Sequence, residues 1–367
     1  MGGCMYNKAL SVLKIFVSHG FDAYIVGGFP RDTLLNRHTI DIDICTNAKP
    51  KDIVELFKDT NISDIKYGSV SIIYKNTKFD VTTFRKDIKY EDNRRPVEVK
   101  YINDLKKDLL RRDFTINTIC IDSDGNYIDL LNAKEDLDKK IIKTVGNPRY
   151  RLKEDSLRIL RAIRFASILD FNIDDKTKSY IKKYGYLVKK LSPIRKRDEL
   201  DKILTSLNRE KGRNLLLELG IDKYLELNNL KDIVLCDDII GIWSQIDSDC
   251  EYPFTKLEKE NMYKVRCMLK EGIDKLTIYK YGLYISSVAG SIKGVSYKEI
   301  NDIYKNLPIY SKKDICVNGM EIANMLHLKP GNYLSDIIND LEEKILMKEL
   351  DNKYDVLVDY IISTYGG

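Results

Sequence analysis

Two carboxylates separated by a single residue are the first feature of this sequence that could do chemistry. Asp41 and Asp43 flank Ile42, and side chains at positions i and i+2 of a strand share a face. The pattern therefore predicts both acids together, with Ile40, Ile42 and Ile44 in the core. Two adjacent like charges favour a bound cation, and oxygen ligands suit Mg²⁺ for phosphoryl transfer. An exposed strand face with two unrelated acids is the alternative interpretation.

A glycine-rich turn precedes this acid pair. Gly27 and Gly28 follow the apolar run 23–26, and Arg31 comes shortly after them. Glycines let the backbone approach a ligand closely, and a helix beginning there would favour an anion. Arg31 would add a charge-assisted contact to a phosphate. A tight strand-to-helix turn explains the glycines equally well in isolation, but a phosphate-binding turn beside an acid pair describes a nucleotidyl-transfer site.

Two further segments carry polar groups among core residue types. Asp80, in the run 79–84, could face the same metal ions, or it could be an acid at a sheet edge with no catalytic role. Arg112, Asp113 and Asn117 lie in the segment RRDFTIN, residues 111–117. They could contact phosphate and ribose oxygens, and local charge pairing is the alternative.

A row of charged residues follows on a predicted helix. Asp155 and Arg158 are helical i, i+3 neighbours, so a surface ion pair would explain them. They could also read a base, because a carboxylate accepts and a guanidinium donates hydrogen bonds. Cytosine and adenine both place an amino donor beside a ring-nitrogen acceptor, whereas uracil and guanine reverse this order. Arg161 and Arg164 continue the row, but each i+3 step drifts about 60° around the helix. We therefore expect Arg164 at a phosphate or another wall of the pocket.

The elements that must position these residues change character along the chain. Residues 6–18 predict an amphipathic helix, and the short apolar runs 23–28, 41–45, 69–74, 79–84 and 119–122 predict strands. Residues 74–78 predict a hairpin turn. After Asn147 and Pro148, a helix-start signal, apolar residues recur at helical spacing and no convincing strand is visible. The sequence predicts an α+β fold: a head with a small mixed β-sheet, then an elongated all-α remainder.

Composition excludes several classes of protein. The chain has 367 residues, 43% of them hydrophobic, which excludes disorder as its main state. It contains no apolar run long enough for a transmembrane helix, and its N-terminus does not resemble a secretory signal. Seven cysteines without a CxxC pair argue against disulfides and structural zinc, so we expect a cytoplasmic location. The formal net charge of +5 is too small to indicate a polyanion partner by itself.

Taken in order, these motifs resemble one family. The segments GGFPRD, DIDICTNAKP, DVTTFR, RRP, RRDFTIN and EDSLRILRAIRFA are similar to those of the class II tRNA nucleotidyltransferases and the related bacterial poly(A) polymerases. The resemblance is strong over residues 20–204. The segment 312–341 resembles the tail of the CCA-adding members, and residues 205–305 match only in helical character.

The resemblance implies a function and a set of roles. The family adds CMP, CMP and AMP to tRNA 3′ ends from CTP and ATP, without a nucleic-acid template and with release of pyrophosphate. Its Mg²⁺-binding catalytic carboxylates match Asp41 and Asp43. Its nucleotide contacts match Gly28, Arg31, Arg112, Asp155, Arg158, Arg161 and Arg164. It also implies a nucleotidyltransferase head (1–146), a base-recognising neck (147–205), a body (206–305) and a tRNA-binding tail (306–367), which would hold the acceptor arm and elbow of tRNA.

Departures from the family pattern bear on the choice among its members. Pro30 replaces a usual Val, Ile194 replaces a usual Glu and receives no role, and Glu321 replaces a usual Asp. The segment between Arg85 and Arg111 is full length, whereas enzymes that add only C lack part of it. The sequence ends without the long basic extension of many poly(A) polymerases and contains no His-Asp phosphohydrolase motif. We therefore predict a CCA-adding enzyme.

Other functions remain open at the level of sequence. A poly(A) polymerase or an enzyme that adds only the terminal A would share the motifs. A catalytically inactive tRNA-binding protein would not need the intact acid pair, and a small-molecule nucleotidyltransferase would not need the long helical remainder. The sequence indicates no membrane partner and does not specify an oligomeric state.

Overall fold

The computed structural model describes residues 2–62, 65–91 and 95–366, which form two compact units. The first comprises Met1–Asp232 with Asp247–Pro253, and the second comprises Ile233–Ile246 with Phe254–Gly367. No helix among the described residues is long and apolar enough to span a membrane. The boundaries of head, neck, body and tail that the sequence predicts at residues 146, 205 and 305 remain predictions.

The first unit begins with a mixed head. Short 3-10 helices occur at Ile65–Tyr67 and Thr115–Asn117. The other elements are α1 (Gly2–Ser18), β1 (Ala23–Val26), α2 (Gly28–Leu34), β2 (Asp43–Thr46), α3 (Pro50–Leu56), β3 (Thr60–Asn61), β4 (Ser69–Tyr74), β5 (Thr77–Thr83), β6 (Arg85–Glu91), β7 (Arg95–Tyr101), α4 (Leu105–Leu110), β8 (Cys120–Ile121), β9 (Tyr127–Ile128), α5 (Ala133–Asp138) and β10 (Ile141–Ile142).

A seven-stranded mixed sheet in the order β3-β4-β5-β2-β1-β8-β9 carries the head. β2 runs antiparallel to β1 and parallel to β5. One face packs on the first helices through a large core that includes Ile25, Ile44 and Val81. The other face carries a smaller cluster that includes Cys45 and Cys120. Because side chains alternate along a strand, Asp43 shares this second face with Cys45.

Helices follow the head within the same unit. Asn147 accepts a hydrogen bond from the backbone N–H of Arg149, and Pro148 occupies the first helical turn, as the sequence predicted. A 3-10 helix spans Gly185–Lys190. The remaining elements are α6 (Pro148–Glu154), α7 (Leu157–Leu169), β11 (Asn172–Ile173), α8 (Asp175–Tyr184), α9 (Pro193–Leu204), α10 (Arg209–Glu218) and α11 (Ile221–Tyr224).

The second unit is helical in its described residues. Its core forms where the last helices pack together, around Ile322, Leu341 and Leu357. Gly282, with φ of +77°, interrupts the long helix α14. A 3-10 helix spans Lys312–Asp314. The helices are α12 (Ile239–Gln245), α13 (Lys256–Glu271), α14 (Lys275–Lys293), α15 (Tyr297–Lys305), α16 (Gly319–Met325), α17 (Tyr333–Leu346) and α18 (Tyr354–Tyr365).

The structure confirms the predicted α+β fold and corrects several details. The run 69–74 is β4 and the hairpin turn is at Lys75 and Asn76, both with positive φ. A two-residue strand, β11, lies in the part predicted to be all helical, and it pairs with β10. The hairpin of β6 and β7 was not predicted, because its many charged residues hide the alternation that marks a strand.

Candidate active site

The two acids nearest each other in the sheet come from neighbouring strands. Asp43 is the first residue of β2 and pairs in register with Asp80 of β5. Directly opposed side chains of paired strands lie on one face, so the two carboxylates are neighbours. Both residues are solvent-exposed. Asp41 is also exposed but lies before the strand begins, so the predicted i, i+2 strand geometry holds only from Asp43 onward.

The isoleucines around the acids are buried only in part as the sequence predicts. Ile42 and Ile44 are buried, at 5% and 1% exposed, and they anchor the acids to the head core. Ile40 is 62% exposed, so the prediction that it points into the core is wrong. The reason is that residues 39–42 are not part of the sheet and do not follow strand alternation.

The charges around Asp43 favour a cation. Loss of hydration against the protein raises the pKa of Asp43 above its ordinary value, and the carboxylates of Asp80 and Asp41 raise this pKa further. Arg112 opposes them and lowers the same pKa. Asp80 accepts a hydrogen bond from Ser71 Oγ at 2.5 Å and lies 3.2 Å from Lys78 Nζ. The acids are therefore only partly neutralised by protein cations.

This donor set fits Mg²⁺. Among the described residues, no three Asp, Glu, His or Cys side chains converge closely enough to form a complete metal site. Mg²⁺ commonly takes only one or two carboxylates and fills its remaining positions with water and substrate phosphates. Carboxylates that repel one another on an exposed face match this mode of binding.

The glycine turn lies directly beside Asp43. Gly27 has φ of +86°, a region that side chains rarely adopt, and a Cβ built on it would lie 3.2 Å from Asp43 Oδ2. Gly28 begins α2, and a Cβ there would lie 3.5 Å from Arg31 Nη2. The turn thus brings the backbone at Gly27 within reach of whatever the acid binds.

Arg31 is held by two protein partners. Its Nε and Nη2 donate to the two carboxylate oxygens of Asp32 at 2.9 and 2.8 Å. Its Nη1 donates to Asn117 Oδ1 at 2.6 Å, and the residue is only 6% exposed. The bidentate contact fixes the plane of the guanidinium, so few of its donors are left for a phosphate.

Asn117 and Asp113 extend this network to the neck. Asn117 Nδ2 donates to Asp113 Oδ1 at 3.1 Å, and Arg161 Nε donates to Asp113 Oδ2 at 2.8 Å. Burial alone would raise the pKa of Asp113, but Arg161 and the Asn117 amide outweigh it and hold this pKa well below the usual range. Three motifs far apart in sequence therefore form one hydrogen-bonded chain: GGFPRD, RRDFTIN and the α7 arginines.

Arg112 keeps an unused donor near the acids. Its Nη2 lies 3.2 Å from Asp108 Oδ2, and Asp108 also binds Arg111 at 2.7 Å. Within the described residues, the buried Nε of Arg112 has no hydrogen-bond partner. Arg112 also lowers the pKa of Asp43, so its positive charge lies near the acid cluster.

Asp155 and Arg158 have different hydrogen-bond partners. Asp155 accepts a hydrogen bond from the backbone N–H of Leu157 at 3.1 Å, and no ion pair to it occurs in the described chain. Burial raises its pKa, although Arg158 and other arginines act in the opposite direction. Arg158, 5% exposed, donates to the backbone carbonyls of Arg151 and Arg111, each at 3.0 Å. The surface ion pair considered for these residues is therefore absent, and the Asp155 carboxylate can still accept a hydrogen bond.

Phe165 organises the arginines of α7. Arg164 lies 4.5 Å from the centre of its ring, Arg31 at 5.2 Å and Arg161 at 5.4 Å. Arg164 Nε also donates to Glu199 Oε2 of α9 at 2.7 Å, so a protein carboxylate engages this donor. These cation–π contacts place the three predicted arginines around one buried ring.

Several residues of this site were not singled out in the sequence. Asp32 and Asp108 pair with the predicted arginines, and Phe165 reads as a core residue in any periodic pattern. Arg195 lowers the pKa of Asp155, so its charge lies near that carboxylate. Only the position of Phe165, four residues after Arg161, could have suggested a shared contact. Within the motif RRP, Arg94 lies outside the described residues.

The chain matches three protein-family models. Residues 23–143 match the poly(A) polymerase head domain. Residues 170–230 match an RNA- and SrmB-binding site of polymerase A, and residues 256–361 match domain 2 of tRNA nucleotidyltransferases.

Relatives named as CCA-adding enzymes resemble nearly the whole chain. The one from Staphylococcus haemolyticus is 34% identical over 395 aligned residues, covering 98% of each chain. The one from Ligilactobacillus salivarius is 33% identical over 385 residues, covering 96% of this chain and 95% of the relative.

Solved structures share the fold. A CCA-adding enzyme of Bacillus stearothermophilus in complex with CTP superposes with a TM-score of 0.85 at 25% identity, covering 98% of this chain and 97% of that one. A Thermotoga maritima CCA-adding enzyme complexed with tRNA has the same fold, with a TM-score of 0.71 at 20% identity and coverage of 97% and 94%.

Proposed function

This chain belongs to the CCA-adding enzymes and is a nucleotidyltransferase, and we propose that its active centre is the acid cluster of Asp41, Asp43 and Asp80. The enzyme adds CMP, CMP and AMP to tRNA 3′ ends from CTP and ATP without a nucleic-acid template, and releases pyrophosphate. The observation that carries the assignment of the centre is the in-register pair of Asp43 and Asp80 beside Gly27 and Arg112.

Asp41 and Asp43 would hold Mg²⁺ together with water and substrate phosphates, and Asp80 would add its negative charge from the neighbouring strand. When bound there, Mg²⁺ would stabilise negative charge on the transferring phosphate and the leaving pyrophosphate. The chain prepares this position by holding three carboxylates with incomplete neutralisation. The buried anchors Ile42 and Ile44 fix the chain on both sides of Asp43.

The nucleotide would bind between the head and α7. The turn at Gly27 and Gly28, with positive φ at Gly27, would receive the triphosphate, and the nearby charge of Arg112 would favour it. Asn117 bonds to both Arg31 and Asp113, and Asp32 and Arg161 occupy the remaining groups, so we assign these residues to shaping the pocket around triphosphate and ribose. This revises the direct contact that the resemblance implies for Arg31 and the contacts that the segment 111–117 suggests for Asp113 and Asn117.

Base selection would fall to α7. Asp155 retains an open acceptor and would take the amino group that cytosine and adenine share. Arg158 would supply the matching donor once it exchanges a backbone carbonyl for the base, while Arg161 and Arg164 brace the pocket wall through Asp113 and Glu199.

tRNA would bind along the remaining helices. The match of residues 170–230 to an RNA-binding region supports contacts there, and we propose that body and tail hold the acceptor arm and elbow. A duplex of this kind is recognised mainly by shape and phosphates, since it exposes little readable sequence. We retain the cytoplasmic location as a proposal, consistent with seven free thiols. Cell fractionation would test it.

Nucleotide addition tests the function directly. Purified enzyme with Mg²⁺, CTP, ATP and a tRNA lacking CCA should yield a product longer by three nucleotides. Asp43→Ala should abolish addition while tRNA binding is retained, because the acid acts on the metal rather than on RNA affinity. Asp155→Ala should relax the preference for C and A more than it weakens tRNA binding.

Two rivals give different results in the same assay. A poly(A) polymerase would add many A residues to any RNA 3′ end. An inactive tRNA-binding protein would bind without extending. Absence of extension by the wild-type enzyme with Mg²⁺ present would contradict the enzymatic function.

A further inference from the structure

A cavity of about 380 Å³ lies in the head between α1, α2 and β9. We call it the aromatic cavity, because each of these elements contributes one ring to its wall: Tyr6, Phe29 and Tyr127. Arg37 and His38 also line it. Its volume suits a small organic ligand, since typical ligand pockets measure about 300–1,000 Å³.

The rings of the aromatic cavity are held in place by the protein. Tyr6 and Phe29 stack with their ring centres 5.6 Å apart and their planes at 19°. Phe29 is 6% exposed and belongs to the head core, whereas Tyr127 is 45% exposed. Burial raises the pKa of Tyr127 and the Tyr6 phenol raises it further, so the two phenols are neighbours. A flat ring that enters here would meet aromatic walls already in position, which lowers the entropic cost of binding.

The charged side chains that line this cavity are basic. Arg37 and His38 are exposed, and within the described residues neither side chain has an ion pair or a hydrogen bond. No acidic residue in the described part of the chain lines the cavity. Burial and then the charge of Asp122 raise the pKa of Tyr6, but the Asp122 carboxylate already accepts two hydrogen bonds from Asn126, at 2.8 and 3.1 Å. The cavity therefore offers a guanidinium and an imidazole to an anion.

The aromatic cavity and the proposed active centre lie on opposite sides of α2. Phe29 and Thr33 are i, i+4 neighbours on one side of this helix, and both line the cavity. Arg31 lies about 200° around the helix from Phe29. Its guanidinium donates to Asn117 at 2.6 Å and lies 5.2 Å from the centre of the Phe165 ring. The cavity is therefore separate from the site described above.

The cavity also adjoins the two chain segments that carry the proposed centre. Phe29 follows Gly27 by two residues. Thr39, which also lines the cavity, precedes Asp41 by two residues. A ligand in the cavity would contact both segments at once, so its binding would be coupled to the arrangement of the catalytic side.

We propose that the aromatic cavity is a second ligand site, which binds a nucleoside monophosphate and thereby influences nucleotide addition. The base would stack on the rings beside Tyr127, and the phosphate would bind the Arg37 guanidinium and the His38 imidazole. Ring and anion together define this class of ligand, because a nucleoside would leave the cations unused and inorganic phosphate would leave the rings unused. The site goes beyond the proposed function and does not depend on which nucleotides the active centre adds.

Equilibrium dialysis of the full-length enzyme with radiolabelled AMP tests the site. Mg²⁺ and saturating CTP are present and RNA is absent, so CTP fills the active centre and no transfer occurs. We expect one AMP to bind per chain under these conditions. Adenosine and inorganic phosphate should each displace AMP about tenfold less effectively than AMP itself, because each makes only part of the contacts.

The cavity variant is Arg37→Gln/Tyr127→Ala. It should bind AMP about tenfold more weakly than wild type, because it lacks the guanidinium and one ring. Both side chains are exposed, so the melting temperature and the affinity for CTP should not change. Arg37→Lys/Tyr127→Phe keeps a cation and a ring and should retain most of the AMP binding.

A matched control removes the same two residue types elsewhere in the first unit. Arg149 also lies over a tyrosine ring, 5.9 Å from the centre of the exposed Tyr150, and neither residue lines the cavity. The control variant Arg149→Gln/Tyr150→Ala should bind AMP like wild type.

The rate of CMP addition gives a second measurement. At saturating CTP and tRNA, AMP should change the kcat of wild type but not that of the cavity variant. The reason is that AMP would act through α2 and the segment before Asp41 rather than by competing with CTP.

Each other outcome would overturn a stated part of the proposal. Absence of AMP binding while CTP fills the active centre, or equal AMP binding by wild type and the cavity variant, would overturn the site. Adenosine or inorganic phosphate that displaces AMP as well as AMP itself does would overturn the class of ligand. AMP that binds in the cavity and leaves kcat unchanged would overturn the link to catalysis. Failure to extend tRNA would refute the proposed function without altering the dialysis result.

Discussion

At the scale of single residues, the site is a set of charges that the protein leaves partly unbalanced. Burial and the charges of Asp80 and Asp41 raise the pKa of Asp43, and Arg112 lowers it. An apo protein with this arrangement loses stability at its acids and regains it when a cation binds. The proposed Mg²⁺ site would therefore couple metal binding to folding stability.

Asp43→Asn should separate these two effects. Without Mg²⁺ the variant should melt at a higher temperature than wild type, because it removes a charge that is poorly hydrated and repelled by its neighbours. Added Mg²⁺ should raise the melting temperature of wild type but leave that of the variant nearly unchanged. Thermal unfolding with EDTA and with Mg²⁺ measures both. Equal stabilisation of the two proteins by Mg²⁺ would show that Asp43 is not a ligand.

Asn117 is a second residue whose chemistry is fixed by its neighbours. Its amide oxygen faces the Arg31 guanidinium and its amide nitrogen faces the Asp113 carboxylate. The side-chain amide presents an acceptor to the cation and a donor to the anion at once.

Asn117→Asp should therefore damage both stability and activity. The new carboxylate keeps the contact to Arg31 but turns an oxygen toward Asp113 Oδ1, where the amide now donates across 3.1 Å. We expect a loss of about 1–3 kcal/mol in the free energy of unfolding, measured by urea denaturation. Asn126→Asp is the matched control, since Asn126 Nδ2 also donates across 3.1 Å to a carboxylate, that of Asp122, but on the surface. Equal losses in the free energy of unfolding for the two variants would show that the buried network has no special role.

At the scale of elements, two features position the proposed site. One is a turn that only glycine permits, and the other is an ion pair between the head and α7. Gly27 leaves β1 with φ of +86°, and Asp113 in the head binds Arg161 on α7. Each feature aligns one element with the next. A substitution at either position should therefore lower both the free energy of unfolding and the catalytic activity.

Gly27→Ala should cost about 1–3 kcal/mol of folding stability, because alanine is strained at this φ. Its Cβ would also crowd Asp43 Oδ2 at 3.2 Å, so kcat should fall even where the enzyme is fully folded. Gly28→Ala is the control for stability: Gly28 is not among the positive-φ residues, and its Cβ would meet nothing closer than 3.5 Å. Chemical denaturation and kcat of both variants test this. Equal losses of stability would show that the positive φ of Gly27 is not the cause.

Asp113→Asn should destabilise the contact between head and α7 by about 2–4 kcal/mol at neutral pH, because it leaves Arg161 without its buried partner. The native pKa of Asp113 lies below that of an unfolded aspartate, so its stabilisation is complete above about pH 4. It is lost as the pH falls through the native pKa. The difference between wild type and variant should therefore shrink in acid.

Urea denaturation at neutral and acidic pH measures this difference. Glu135→Gln is the control, because its ion pair with Lys139, at 2.6 Å, is exposed on both sides, so its loss should change stability very little. A difference for Asp113→Asn that stays constant with pH would show that the carboxylate charge does not matter.

At the scale of the whole molecule, local patterns specify the elements better than the site. The strand at 69–74 and the helix beginning at Pro148 are visible in the sequence, because alternation and capping act over a few residues. The order of motifs also indicates the family. These signals suffice to predict an α+β head followed by helices.

Contacts between distant motifs could not be predicted in the same way. Arg31 looks like a free phosphate ligand in sequence, yet Asp32 and Asn117 occupy it in the fold. Phe165 looks like any core residue, and only folding places three arginines around it. Such contacts depend on tertiary packing, which a single sequence does not encode locally.

The most direct test of the account is the sequence of the 3′ end formed by wild-type enzyme with Mg²⁺, CTP and ATP. Three tRNA substrates should be supplied separately: one lacking CCA, one ending in C and one ending in CC. We expect the enzyme to extend all three substrates to CCA and then to stop, and we expect Asp43→Ala to extend none of them. Extension of the CC substrate alone would identify an A-adding enzyme, and a long A tail would identify a poly(A) polymerase. Either result would contradict the account.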